Sequence, residues 1–302
     1  MIVRKRPSVW TLFFIKRGSI FPIIMWRLLA ITLLSAAVVA LYDFGHLPWF
    51  ESLSAVPFSL LGIALSIFLG FRNNACYDRW WEARKHWGEL IVQMRSNARE
   101  SVALFKPETA RELVYLNIAF THALGSHLRD QAALEALAKW LSPQQQSVLA
   151  ERQNLPDALL QLLQNAYRDA LKQNQISDIN YRGLTERLDT LASVQTACER
   201  IRTTPTPFAY SLLLHRTAWV FCLLLPFSLV STLGALTPLL VVAIAYTYFG
   251  LDALGEQLEE PFSLTENSLP LAAMTRTVER SLLDALNEPV PDALLPQHYL
   301  LS

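Results

Sequence analysis

The sequence predicts an all-α membrane protein in which four hydrophobic helices carry a helical cytosolic domain. Three observations predict it. The 302 residues are 52% hydrophobic and only 17% charged, with a mean hydropathy of +0.25, too apolar for an ordinary soluble globule. Charge-free stretches long enough for a hydrocarbon core, which takes roughly 20 helical residues, occur in two separate parts of the chain. Between and after them Ala, Leu, Glu, Gln and Arg recur with helical periodicity, without strand-like alternation.

Residues 1–22 read as a basic cytosolic segment: Arg4, Lys5, Arg6, Lys16 and Arg17 are interleaved with Trp10, Phe13 and Phe14. No small-residue cleavage site follows, so the segment is expected to be retained rather than removed as a signal peptide. Residues 23–71 hold transmembrane helices 1 and 2. The first runs from about Ile23 to Tyr42, with Arg27 one turn in, where its long stem can snorkel to the interface. The second, Ser52 to Phe71, carries no charge, and Trp49 and Phe50 before it suit an interfacial aromatic belt as well as ordinary packing.

Residues 72–206 are expected to form the cytosolic helical domain, with helix starts at Lys106-Pro107-Glu108, Ser142-Pro143 and Leu155-Pro156-Asp157. Residues 207–251 hold transmembrane helices 3 and 4. The charge-free run Thr217–Leu251 is too long for one span and is broken by Gly234 and Pro238, which predicts a hairpin with arms of marginal length. Residues 252–302 form a cytosolic C-terminal segment with a helix from Ser268-Leu269-Pro270 to about Asn287. Basic residues cluster before the first span and after the second and are missing from both outer loops, so both termini are expected in the cytoplasm.

Several chemistries are excluded or disfavoured. Twenty-six Lys and Arg balance twenty-six Asp and Glu, which leaves no net field to recruit nucleic acid. Cys76, Cys198 and Cys222 are odd in number and far apart, so neither a disulfide framework nor a zinc ribbon is expected. His122 and His127 are five residues apart and do not stack on one helical face as metal-binding pairs do; packing or surface roles suit them better. Phosphate-cradling glycine motifs and G-x-S-x-G are absent. Adjacent Glu259 and Glu260 point about 100° apart on a helix and suit a solvated or ion-paired face. No enzyme, cofactor or metal site is expected.

The second span is the informative one. Ile63, Ile67 and Phe71 recur every four residues as an apolar stripe, beside a polar stripe of Ser59, Ser66 and Asn73. Gly62 and Gly70 are expected to let neighbouring helices approach closely. Periodicity alone favours the plainer assignment of the apolar stripe to lipid or helix packing.

The segment Phe71-Arg72-Asn73-Asn74-Ala75-Cys76-Tyr77-Asp78-Arg79-Trp80-Trp81-Glu82-Ala83-Arg84, followed by Trp87-Gly88, resembles the signature after the second helix of the bestrophin family, in its bacterial branch. Leu251-Asp252-Ala253-Leu254-Gly255-Glu256-Gln257-Leu258-Glu259-Glu260-Pro261-Phe262 is similar to the family's segment after its last membrane helix. The resemblance covers nearly the whole chain. It implies a homopentameric ion channel of the bacterial inner membrane, with one axial pore. By counting back from Arg79-Trp80-Trp81, it implies that Ile63, Ile67 and Phe71 line an apolar neck. More weakly, Thr190-Leu191 points back to Ile179 as a second constriction at the cytosolic exit, with a core role as the alternative.

The family includes anion-conducting animal members and bacterial members that pass monovalent cations. An uncharged neck does not decide the sign, so the resemblance leans to Na⁺ and K⁺, with a chloride channel of the same architecture as the alternative. A membrane-anchored scaffold is the further rival. A secondary carrier is disfavoured, since Arg216, near a span end, is the only ionisable candidate. Animal members follow Pro-Phe with an acidic calcium clasp; here Pro261-Phe262 is followed by Ser263-Leu264-Thr265-Glu266-Asn267-Ser268, whose single carboxylate falls short of the six to eight oxygens calcium takes.

Overall fold

The computed structural model describes residues 1–4, 8–12, 14–45 and 55–302. Trp49, Phe50 and the first residues of the second span lie outside the described residues. Eleven α-helices follow among those described: α1 (Val9–Leu12), α2 (Phe21–Asp43), α3 (Ala55–Leu104), α4 (Pro107–Leu128), α5 (Leu134–Leu137), α6 (Pro143–Ala150), α7 (Leu155–Lys172), α8 (Asp178–Thr203), α9 (Phe208–Leu233), α10 (Thr237–Glu259) and α11 (Leu271–Ala285). No β-strand occurs among the described residues, only isolated bridges near the two chain ends. The all-α expectation is met.

The chain divides into two compact units. One holds Lys5–Trp80 and Pro205–Glu260, the other Met1–Arg4, Trp81–Thr204 and Pro261–Ser302. In the first unit α2, the start of α3, and the stretch Phe208–Glu259 that α9 and α10 make up are long and apolar enough to cross a membrane. Each of these segments buries one stripe and leaves apolar residues on its other sides, as spans in lipid do. Ile24, Leu28 and Ile31 of α2, Leu65 and Leu69 of α3, Phe221 and Leu225 of α9, and Val241, Ala245 and Phe249 of α10 form the shared core.

The hairpin is longer than the charge-free run implied. Its arms are the 26 residues of α9 and the 23 of α10, because Phe208–Arg216 and Asp252–Glu259 continue the helices past the apolar stretch. Gly234 ends α9 with φ +50°, a conformation that costs a Cβ-bearing residue dearly and glycine little. Pro226 lies inside α9, where its missing N–H leaves the Cys222 carbonyl without a helical donor. α3 runs unbroken for 50 residues; Gly62, Leu69, Cys76, Ala83, Leu90 and Asn97 recur every seventh position on its buried side.

In the second unit the proline-marked starts hold. Ser142 and Gln145 form a reciprocal capping box before α6, and Asn154 accepts from the Asp157 N–H to start α7. α4 is buried on most sides and packs against α7 and α11, whose apolar residues fall on one face. α11 ends at Ala285, close to the expected limit.

Candidate functional site

Helix α3 sorts its faces by contact. Gly62, Leu65 and Leu69 turn inward, and a Cβ on Gly62 would meet the Phe221 ring at 3.1 Å, tight enough that the ring would have to give way. Gly70 differs from expectation: among the described residues, nothing lies within 4 Å of a Cβ there. Ile63, Ile67 and Phe71 lie off this packed seam, 59%, 50% and 61% exposed. Leu60 and Phe68 share the open arc.

The polar stripe turns the other way. Ser66 Oγ donates to the Gly62 carbonyl at 2.9 Å and lies 3.0 Å from the Tyr248 hydroxyl, while Asn73 Nδ2 donates to the carbonyls of Leu69 and Leu251 at 2.9 and 3.1 Å. Ser59 Oγ donates to the Val56 carbonyl at 2.8 Å, so all three members bind α10 or their own helix and do not present a free polar wall.

Where the apolar run of α10 ends, four helices meet on one carboxylate. Asp252, 1% exposed, receives Arg72 of α3 on Oδ1 at 2.8 Å; Arg27 of α2 at 3.4 Å and His215 Nδ1 of α9 at 2.7 Å approach Oδ2. Arg72 is itself only 2% exposed, and its other nitrogen lies 3.6 Å from Glu259 Oε2. Glu259 also accepts from the Thr206 N–H at 2.8 Å, and its carbonyl accepts from Arg79 Nε at 2.7 Å, so it belongs to an ion-paired face as expected.

A buried charge persists in such a place only when paired and hydrogen-bonded. Arg27 leans on Asp252 rather than reaching outward. Sequence reasoning missed this hub because it searched inside the apolar runs, where Arg216 was the only candidate. The usable signal was that Arg72 and Asp252 each stand immediately beyond one. His215, Asp252 and Glu256 bring their ligand atoms within 4.8 Å of one another, but two guanidinium groups already hold Asp252 and oppose a metal cation there.

In the second unit, Ile179 sits one residue into α8, whose start Ser177 caps by accepting from the Asn180 N–H; at 83% exposed it is no core residue of this chain. His122 and His127 each face a carboxylate, Glu279 at 3.2 Å and Glu199 at 3.3 Å. The segment after Phe262 is tied down by a fixed cation: Arg129 donates to the carbonyls of Phe262 and Leu269 at 3.3 and 3.1 Å.

Apolar helices of spanning length, packed on one side and left apolar on the other, define a helical membrane protein. Its family follows from comparison. The model for Bacterial/Fungal Bestrophin protein matches residues 1–284, so the chain belongs to the bestrophin family. It is 41% identical over 307 residues to a voltage-dependent anion channel-forming protein of Mesorhizobium japonicum, covering 100% of this chain and 97% of that one. It is 43% identical over 312 residues to the voltage-dependent anion channel-forming protein YneE of Escherichia coli K12, covering all of both. A solved bacterial bestrophin homologue from Klebsiella pneumoniae superposes with a TM-score of 0.84 at 38% identity, over 88% of this chain and 99% of that one. The relatives are named as channel formers, and the chain is not an enzyme.

Proposed function

We propose that the chain is a passive, anion-conducting channel of the bacterial inner membrane, assembled as a homopentamer around one axis. The observation that carries this is the bare face of α3. Ile63, Ile67 and Phe71 remain half or more exposed, although the helix packs tightly through Gly62, Leu65 and Leu69. One such face encloses nothing, but closed cyclic symmetry turns it into three stacked apolar rings. A neck of that kind conducts when wetted and closes by dewetting.

Ile179, exposed at the start of α8, forms the second constriction at the cytosolic exit. Residues 23–71 and 207–251 cross the bilayer, residues 72–206 and 252–302 lie in the cytosol, and both termini are cytoplasmic, consistent with the basic residues that flank the spans.

The lean to Na⁺ and K⁺ gives way to the anion alternative. Close relatives along the whole chain are named for anion conduction, and nothing in an uncharged neck opposes it. Two measurements on the purified full-length protein test the proposal. Detergent-corrected light scattering should give five chains, and proteoliposomes should release trapped chloride without any coupled substrate. A monomeric or dimeric mass, or liposomes that stay tight, would refute it.

A further inference from the structure

In the unit that holds α4 and α11, remote in sequence from the neck stripe, a cavity of about 230 Å³ lies between these two helices. His122, Ser126, Gln131, Ala272, Thr275 and Arg276 contribute to its wall. Two of its hydroxyls lack an acceptor among the described residues. Thr275 is only 5% exposed, yet its hydroxyl has no hydrogen-bond partner among the described residues. On the same helix Thr277 donates back to the Ala273 carbonyl at 2.8 Å, and on α4 Thr121 donates to Asn117 at 3.1 Å. The Ser126 hydroxyl also goes without a partner among the described residues. α11 adds one backbone donor: no side chain caps its start, and although the Ala273 N–H donates to a Ser302 oxygen at 2.8 Å, the Ala272 N–H is among those a helix leaves over at its N-terminus.

Arg276 is the permanent cation of this wall. Glu279 is met by Lys139 Nζ at 3.2 Å on Oε1, and by His122 Nε2 at 3.2 Å and Arg276 Nε at 3.3 Å on Oε2. Arg276 is thus paired with Glu279, and its Nη1 also donates to the Asp292 carbonyl at 3.4 Å. Burial acts to raise the Glu279 carboxyl, but the His122 hydrogen bond and the Lys139 charge outweigh it and bring it down to about 2. Glu279 therefore stays ionised and holds Arg276 at the wall. Both of its oxygens are already occupied, so they offer little to a cation.

We propose that this cavity binds a small oxyanion, a phosphate or a short carboxylate, on Ser126, Thr275, Arg276 and the Ala272 N–H. Donors spread around a space of this volume suit a polyatomic anion with several oxygens rather than a halide. The site is independent of the channel proposal, since it uses no residue of the neck or of the Asp252 hub.

The test is isothermal titration of the full-length protein in detergent with inorganic phosphate and, separately, with malonate, in low-chloride buffer. At least one probe should bind with a submillimolar Kd, and which one binds tells phosphate from carboxylate chemistry. Thr275→Val removes a hydroxyl that supports no internal bond, so it should leave thermal stability intact while weakening binding about ten-fold or more. Arg276→Gln should weaken it further. No heat from either probe, affinity unchanged by Thr275→Val, or displacement by equimolar chloride would overturn the proposal.

Discussion

Truncating Ile67 and Leu69 separately pits a pore wall against a packing face on one turn of one helix. Leu69 is fully buried among α2, α9 and α10, so Leu69→Ala opens an internal cavity and should cost about 2–5 kcal/mol. Ile67 is 50% exposed. Removing its three outer carbons at about 0.8 kcal/mol each would cost about 2.4 kcal/mol if buried, and half of that here. An apolar lipid surround reduces the figure further, to about 1 kcal/mol or less. In a ring, each truncation retracts the wall by up to two bonds of about 1.5 Å, a widening of roughly 2 Å in radius that also eases wetting. Single-channel recording should show Ile67→Ala raising unitary conductance at least two-fold with a nearly native melting temperature. Leu69→Ala should melt several degrees lower with unitary conductance near native. If Ile67→Ala destabilises the protein as Leu69→Ala does and leaves conductance unchanged, the stripe is a packing surface and the neck assignment fails.

Asp252→Ala strands the buried Arg72 guanidinium and should cost about 3 kcal/mol, the low end for breaking a buried pair because Glu259 remains 3.6 Å away. Adding Arg72→Met should recover part of that loss in thermal unfolding, and a single variant indistinguishable from the parent would show that the hub does not hold the helices. Glu279, whose folded-state pKa of about 2 lies below its ordinary 4.5, contributes stability that is complete above pH 4.5 and is lost as pH falls toward 2. Unfolding curves of Glu279→Gln and the parent should therefore differ at pH 7 and converge near pH 2; curves that stay parallel across that window contradict the pairing. Micromolar calcium should leave bilayer currents unchanged, because the segment after Phe262 carries a single acid and is held by Arg129. A reversible loss of current on chelation would show ligands recruited from elsewhere.

What was legible in the sequence was what repeats or punctuates. The spans follow from uninterrupted apolar runs, the starts of α4, α6 and α7 from proline at the first or second helical position, and the end of α9 from Gly234. The stripe of Ile63, Ile67 and Phe71 was visible as a period of four, but its exposure was not, because one face of an apolar helix looks like another until neighbours take sides. The polar stripe misled for the same reason: the Ser66 hydroxyl and the Asn73 amide nitrogen are engaged on α10 and on their own backbone. Hairpin arms were read too short because composition reports where lipid ends, while a helix continues as long as its backbone bonds are supported. The Asp252 hub joins residues 27, 72, 215 and 252, separations over which a single sequence carries no pairing signal.

The central claim is passive anion conduction, and the zero-current potential of the purified protein in a planar bilayer under a potassium chloride gradient tests it most directly. The account predicts single-channel currents whose reversal lies close to the chloride equilibrium potential. Reversal near the potassium equilibrium potential would contradict the selectivity, and a silent bilayer would contradict the channel itself.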